Sequence, residues 1–75
     1  MPRLPVLNPK QVLRALQSAG FYIHHQRRSH ARLFSRTRHE LHVTIPMYNK
    51  DFPEKTLRAI LRQAELSVEE FIELL

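Results

Sequence analysis

A ten-residue stretch in the middle of the chain, RRSHARLFSR at residues 27–36, combines residue types that bind and transform phosphate esters. It contains four arginines, two serines and one histidine, His30. Arginine guanidinium groups hold phosphate oxygens through charge-assisted hydrogen bonds, and an imidazole exchanges protons near neutral pH. RNA carries its own nucleophile, the 2′-hydroxyl, so a histidine beside a phosphate flanked by arginines can promote cleavage without a metal ion. His30 is therefore a candidate general acid or base.

The same residues also have a plainer interpretation. A lone histidine on a sheet surface is most often a solvated or hydrogen-bonded bystander, and runs of arginine such as Arg27-Arg28 most often form solvated faces. Composition alone therefore indicates a nucleic-acid binder and leaves the catalytic role of His30 open.

The chain has five histidines, all between residues 24 and 42, which raises the question of a metal site. Zinc prefers four tetrahedral ligands, and the chain has no cysteine to supply a thiolate. Strand alternation would send His24 and His25 to opposite faces of a sheet, and likewise His39 and His42. We therefore expect no metal and no other cofactor.

Charge is distributed unevenly along the chain. Residues 1–50 hold nine lysines and arginines against one glutamate, whereas residues 51–75 hold three against six acidic residues. The histidines lie in the basic part as well. A basic region of this kind favours a polyanionic partner, and nucleic acid is the first candidate.

Length and composition limit the classes of protein. Residues 1–75 are enough for a single small domain, with little material for a deep enclosed active site. The hydrophobic fraction of 43% indicates a folded core. The first ten residues lack an apolar run long enough for a signal peptide or a membrane span, and the absence of cysteine is typical of a reducing compartment. We therefore expect a cytoplasmic location.

The elements that must position these residues follow from hydrophobic periodicity. The segment Asn8-Pro9-Lys10-Gln11 has the pattern of a capping box with proline in the first turn, and apolar residues at helical spacing then predict a helix over residues 9–19. Gly20 is expected to follow this helix in the left-handed conformation. After Gly20, side chains of similar polarity recur at every second position, which predicts strands over residues 21–26, 30–36 and 41–45.

The rest of the chain is predicted to be mainly helical. Pro46 and Pro53 bracket a loop, residues 57–64 show helical spacing, and residues 67–70 form a capping box that opens a last short helix. The order α-β-β-β-α plus a short C-terminal helix predicts an α+β fold, with helices on one face of a three-stranded antiparallel sheet. Side chains alternate along the middle strand, so four of them are predicted on the face of the sheet that the helices leave uncovered, here called the open face: His30, Arg32, Phe34 and Arg36.

Four segments of the chain resemble the HicA family of bacterial toxins. They are LPVLNPKQVLRALQSAGF, QRRSH, VTIP and TLRAILRQAELSVEEFIELL, in this order. The resemblance implies a fold similar to the double-stranded-RNA-binding domain. It also implies the activity of an endoribonuclease, a metal-independent mRNA interferase of a type II toxin–antitoxin system with a role in stress response. The implied partners are messenger RNA and a HicB-like antitoxin protein, with the free toxin monomeric and larger assemblies formed with the antitoxin.

The resemblance also assigns roles to individual residues. The histidine of the family motif follows a Gly-Ser pair, and Ser29 and His30 occupy the matching places, so His30 is the expected catalytic residue. Ser29 is expected to donate a hydrogen bond to phosphate or to align the strand. Independently of the resemblance, charge and hydrogen-bonding groups make five residues the expected RNA- and phosphate-binding residues: Arg27, Arg28, Ser29, Arg32 and Lys10.

The chain differs from the family pattern at three positions. Arg28 stands where the family has a glycine, which adds charge and removes backbone freedom. Tyr48 stands where a histidine is common, and its phenol is a candidate auxiliary group that donates hydrogen bonds but is a poor base at neutral pH. Glu65 stands where a glycine usually ends the helix. Arg28 and Tyr48 motivate an alternative function, a catalytically inactive RNA-binding module or a degenerate toxin whose main ligand is the antitoxin.

Overall fold

The computed structural model describes residues 3–75. Its helices and strands are α1 Pro9–Ser18, β1 Phe21–Gln26, β2 His30–Ser35, β3 His42–Pro46, α2 Glu54–Ala64 and α3 Val68–Ile72. The strands form an antiparallel sheet in the order β1-β2-β3. The predicted α+β order, α-β-β-β-α with a short C-terminal helix, is confirmed.

Local sequence signals begin and end α1. The Asn8 side chain accepts a hydrogen bond from the Gln11 N–H, and the Gln11 side chain accepts one from the Asn8 N–H, each at 2.9 Å. This reciprocal capping box satisfies two backbone donors. Gly20 follows the helix at a φ of 96°, a conformation that glycine adopts without a steric penalty. Both predicted ends of the helix are confirmed to within one residue.

A hydrophobic core lies between the sheet and the helices. Its largest fully buried side chains come from every layer of the fold and are Val12, Leu16, Leu33, Val43, Ile45, Leu57, Ile60 and Phe71. Along β2, buried and exposed residues alternate, so that Ala31 and Leu33 face the core while His30 and Arg32 face away from it. The sheet thus has one open face, and the predicted assignment of β2 residues to its two faces is confirmed.

The predicted alternation of histidines in β1 was wrong. The pairing of β1 with β2 is regular as far as Ile23, but the register then shifts, and His25 pairs with Arg32. The shift marks a β-bulge at His24, and a bulge interrupts the alternation of side chains. Residues directly opposite in a sheet share a face, so His25 lies on the open face with Arg32. His24 lies on this face as well, because its ring stacks on Phe34.

The short helix α3 is held by a second capping box. The Ser67 hydroxyl accepts from the Glu70 N–H at 3.0 Å, and the Glu70 carboxylate accepts from the Ser67 N–H at 2.8 Å. The hydrogen bond from the Ser67 N–H and, to a smaller extent, the nearby Ser67 hydroxyl lower the pKa of the Glu70 carboxyl. A lowered carboxyl pKa stabilises the fold above the ordinary pKa of glutamate, and this contribution is lost as the pH falls through the lowered value.

The end of α2 has a backbone conformation that favours glycine. Glu65 lies there at a φ of 55° and a ψ of 43°, in the left-handed region. This region costs a residue with a β-carbon about 1 kcal/mol. The Glu65 carboxylate pairs with Arg38 at 3.0 Å, but both side chains are half exposed and such pairs contribute little. We expect Glu65→Gly to raise the free energy of unfolding by about 0.5–1 kcal/mol, measured by urea denaturation.

The matched control for this prediction is Glu65→Ala. It removes the same ion pair with Arg38 but keeps the β-carbon, so it is expected to be neutral or slightly destabilising. A Glu65→Gly protein no more stable than Glu65→Ala would contradict the left-handed strain as the cause.

Candidate functional site

The turn between β1 and β2 presents the Arg-Ser-His sequence at one end of the sheet. The Arg27 N–H donates to the His30 carbonyl at 2.8 Å, which closes a tight turn with Arg28 and Ser29 at its tip. The Met47 N–H donates to the Ser29 carbonyl, also at 2.8 Å, and so ties the tip to the end of β3. The backbone next to His30 is therefore held from two sides, which fixes the position from which its side chain extends.

The His30 side chain is oriented by its neighbour in the sequence. His30 is exposed at the first position of β2, and its Nδ1 lies 3.0 Å from the Ser29 hydroxyl oxygen. With Nδ1 engaged, Nε2 is the ring nitrogen available to a substrate. When Nδ1 donates to the hydroxyl, Nε2 is unprotonated and can act as a base; when the hydroxyl donates to Nδ1, Nε2 carries the proton and can act as an acid. The contact with Ser29 thus leaves Nε2 free of this hydrogen bond in either tautomer.

Three of the predicted phosphate ligands lie around His30. Arg27 and Arg28 are exposed in the turn, and Arg32 is exposed on the same face of β2, two residues or about 7 Å along the strand. The arginines that form ion pairs within residues 3–75 are Arg38 and Arg58, and not these three. The positive charge of the turn is therefore available to bind a phosphate, because no carboxylate of the described residues neutralises it.

The bulge brings His25 to the open face, close to the turn, where alternation along the sequence did not place it. His25 lies opposite Arg32, and its Nε2 accepts a hydrogen bond from the Arg27 Nε at 3.1 Å. His25 thereby holds the Arg27 guanidinium beside the turn. The bulge contains neither glycine nor proline, so no signal in the sequence marks it.

A row of aromatic rings crosses the open face of the sheet. The Phe34 ring stacks on His24 of β1, with centroids 4.0 Å apart, and on His42 of β3, with centroids 4.2 Å apart. Tyr22 meets Phe34 edge-on at 6.3 Å, and the Arg36 guanidinium lies 4.8 Å from the centre of the Tyr22 ring. The three strands contain no aspartate or glutamate. These contacts support the pairing of all three strands and make the open face aromatic and basic.

The other two predicted site residues, Lys10 and Tyr48, are not part of the turn. Both line a cavity of about 490 Å³ between the start of α1 and the loop after β3. Tyr48 packs edge-on against Phe52, with ring centroids 5.5 Å apart. His30 is not among the residues that line this cavity. The structure therefore divides the predicted residues between two places: the turn with the start of β2, which carries Ser29, the histidine and the arginines, and an adjoining cavity.

The arrangement of the histidines and acidic residues within residues 3–75 bears on metal binding. His24 and His42 lie on the two sides of the Phe34 ring, and no group of three or more histidine or acidic side chains in this range is arranged to hold a metal ion. The helices of the same range are too short or too polar to cross a membrane.

Comparison with known proteins assigns the chain to a family. A family model for the HicA toxin of bacterial toxin–antitoxin systems matches residues 9–66 of the 75-residue chain. The matched range contains α1, the whole sheet and α2, and therefore the turn that carries His30. No curated protein sequence matches the chain. The protein belongs to the HicA toxin family of bacterial toxin–antitoxin systems.

Proposed function

We propose that the protein is the toxin of a type II system and a metal-independent endoribonuclease that cleaves messenger RNA. Its membership of the HicA toxin family supports the toxin role. The observation that carries the proposed chemistry is the contact between the Ser29 hydroxyl and His30 Nδ1, which orients an exposed imidazole among arginines.

The arrangement suits cleavage by the 2′-hydroxyl of the RNA itself. In this reaction the 2′-oxygen attacks the adjacent phosphorus, the 5′-oxygen of the next nucleotide leaves, and a 2′,3′-cyclic phosphate forms. His30 Nε2 takes the proton from the 2′-hydroxyl or supplies one to the leaving oxygen. The arginines of the turn and Arg32 stabilise the negative charge that develops on the phosphate oxygens.

A HicB-like antitoxin is the proposed protein partner. Family membership implies an antitoxin, and a protein that covers the exposed turn would keep RNA away from His30. The open face carries basic and aromatic side chains and suits an acidic surface on this partner. We place the monomeric free toxin and its larger complexes with the antitoxin in the cytoplasm, where messenger RNA is present.

The proposed function is tested by incubating the purified protein with a single-stranded RNA in the presence of EDTA. We expect fragments that end in a 2′,3′-cyclic phosphate, identified by mass spectrometry. The same RNA with a 2′-deoxyribose at the cleaved position is the matched control, because it lacks the nucleophile. RNA binding without fragments under any condition would instead favour a catalytically inactive RNA-binding module or a degenerate toxin.

Arg28, which replaces the glycine of the family pattern, is expected to strengthen RNA binding. Of residues 3–75, Glu65 is the sole non-glycine residue at positive φ, so the backbone at Arg28 does not require glycine. The exposed Arg28 side chain adds a cation at the tip of the turn. We expect Arg28→Gly to weaken RNA binding and to make the slope of log affinity against log salt shallower by about 0.7.

Salt-dependent binding to a single-stranded RNA, measured by fluorescence anisotropy, checks this prediction. Lys55→Ala, which removes an exposed cation from α2, is the control that should leave the slope unchanged. Tighter binding by Arg28→Gly, or an unchanged slope, would show that Arg28 makes no contact with phosphate.

A further inference from the structure

Two distant parts of the chain meet at the end of the sheet that carries His30. His30 at the start of β2 pairs with Pro46 at the end of β3. Just beyond this pair, residues 47–51 and residues 8–10 line the cavity of about 490 Å³. The volume lies within the range of small-ligand sites and is sufficient for one nucleoside. The cavity therefore lies next to the proposed reactive turn but is lined by different residues.

The loop that forms one wall of the cavity is fixed at both ends by backbone hydrogen bonds. At one end the Met47 N–H donates to the Ser29 carbonyl, and at the other the Phe52 N–H donates to the Leu7 carbonyl, each at 2.8 Å. The first bond joins the loop to the residue before His30, and the second joins it to the residue before the capping box of α1. A wall held in this way is in place before a ligand arrives, which reduces the entropy lost on binding.

The side chains of the cavity have the chemistry of nucleotide recognition. Lys10 and Lys50 are exposed and supply positive charge for a phosphate. The half-buried Tyr48 supplies an aromatic ring on which a base can stack. Amide and carboxylate groups that can bind the polar edge of a base come from Asn49 and Asp51, while the Asn8 side-chain oxygen caps α1. Cations, an aromatic ring and hydrogen-bonding groups are the three components of a site for single-stranded RNA.

We infer that this cavity, here called the nucleotide cavity and lined by residues 8–10 and 47–51, binds one nucleotide of single-stranded RNA beside the phosphate cleaved at His30. The inference rests on the proposed ribonuclease function. In it, Tyr48 stacks on the base, and Lys10 and Lys50 hold the adjoining phosphate. Asp51 accepts hydrogen bonds from the base and so favours guanine, whose N1–H and N2–H donors lie side by side. The nucleotide cavity thus determines which base lies next to the cut.

The first test measures binding without cleavage. Full-length His30→Ala protein, which leaves the RNA intact, is titrated with short single-stranded RNAs that differ in one base, and the backbone amides are followed by NMR. We expect RNA-induced shifts at residues 47–51 and the strongest binding with guanine. Tyr48→Leu in the same background is expected to weaken binding about tenfold, as for the loss of a base-stacking contact. Lys55→Ala is the control that keeps both the affinity and the shifts.

The second test measures the base beside the cut. Wild-type, Asp51→Asn and Glu54→Gln proteins each digest a randomised RNA, and the fragment ends are sequenced. Asp51→Asn is expected to lose the preference for guanine by at least about fivefold, as for the loss of a specific base contact. Glu54→Gln changes an exposed carboxylate that does not line the nucleotide cavity, so it is expected to keep the wild-type preference.

The two tests separate failure of this inference from failure of the proposed function. If Asp51→Asn keeps the wild-type base preference, or if residues 47–51 show no RNA-induced shifts, the nucleotide cavity is not the subsite. Cleavage of RNA by the wild-type protein would in that case still support the ribonuclease function. If residues 47–51 respond to RNA but the wild-type protein cuts nothing, nucleotide binding stands and the ribonuclease function fails.

Discussion

Cells that lack the antitoxin are expected to keep growing when they produce the His30→Ala variant, whereas the wild-type protein is expected to arrest their growth. The substitution removes the imidazole that moves protons in the proposed reaction, and general acid–base catalysis contributes about 10²–10⁴-fold to a rate. Messenger RNA, followed after induction, should decay with the wild-type protein and persist with the variant.

The matched control for the growth experiment is His39→Ala. His39 is exposed between β2 and β3, at the end of the sheet opposite His30, so its removal is expected to leave the growth arrest in place. All three proteins are compared at equal amounts, determined by immunoblotting. Growth arrest by His30→Ala at the wild-type protein level would show that toxicity does not depend on this imidazole.

The largest expected effect on stability belongs to Phe71→Ala. Phe71 is fully buried and is the largest of the fully buried side chains, although its short helix α3 lies beyond the residues that the family model matches. Truncation of a buried phenylalanine to alanine costs about 3–5 kcal/mol. The total stability expected for a domain of this size is about 4–11 kcal/mol. We therefore expect Phe71→Ala to lose a large part of the free energy of unfolding.

Urea denaturation followed by circular dichroism measures this loss. Leu75→Ala is the control, because Leu75 is 53% exposed and its truncation should change the free energy of unfolding by less than about 0.5 kcal/mol. A Phe71→Ala protein within about 1 kcal/mol of the wild type would mean that α3 adds little to the core.

Much of the fold could be predicted from the sequence because its signals have short-range causes. The capping boxes at Asn8 and Ser67 are hydrogen bonds between residues three positions apart, and both form. The left-handed conformation of Gly20 depends on its lack of a side chain alone. Alternation along β2 placed His30 and Arg32 on the open face because that strand pairs regularly with β3.

The remaining features depend on contacts between distant segments. The bulge at His24 is a property of how β1 pairs with β2, and it reversed the predicted side for His25. The stack of His24, Phe34 and His42 requires the register of all three strands. The nucleotide cavity forms where the start of α1 meets the loop after β3, which neither segment indicates alone. Lys10 and Tyr48 could therefore be proposed individually but not placed in a common cavity.

The most direct test of His30 as the acid–base group is the rate at which purified wild-type, His30→Ala and His39→Ala proteins cut the same RNA in EDTA under single-turnover conditions. We predict that His30→Ala is slower than the wild type by about 100-fold or more, while His39→Ala cuts at the wild-type rate. Cleavage by His30→Ala at the wild-type rate would contradict the assignment of His30.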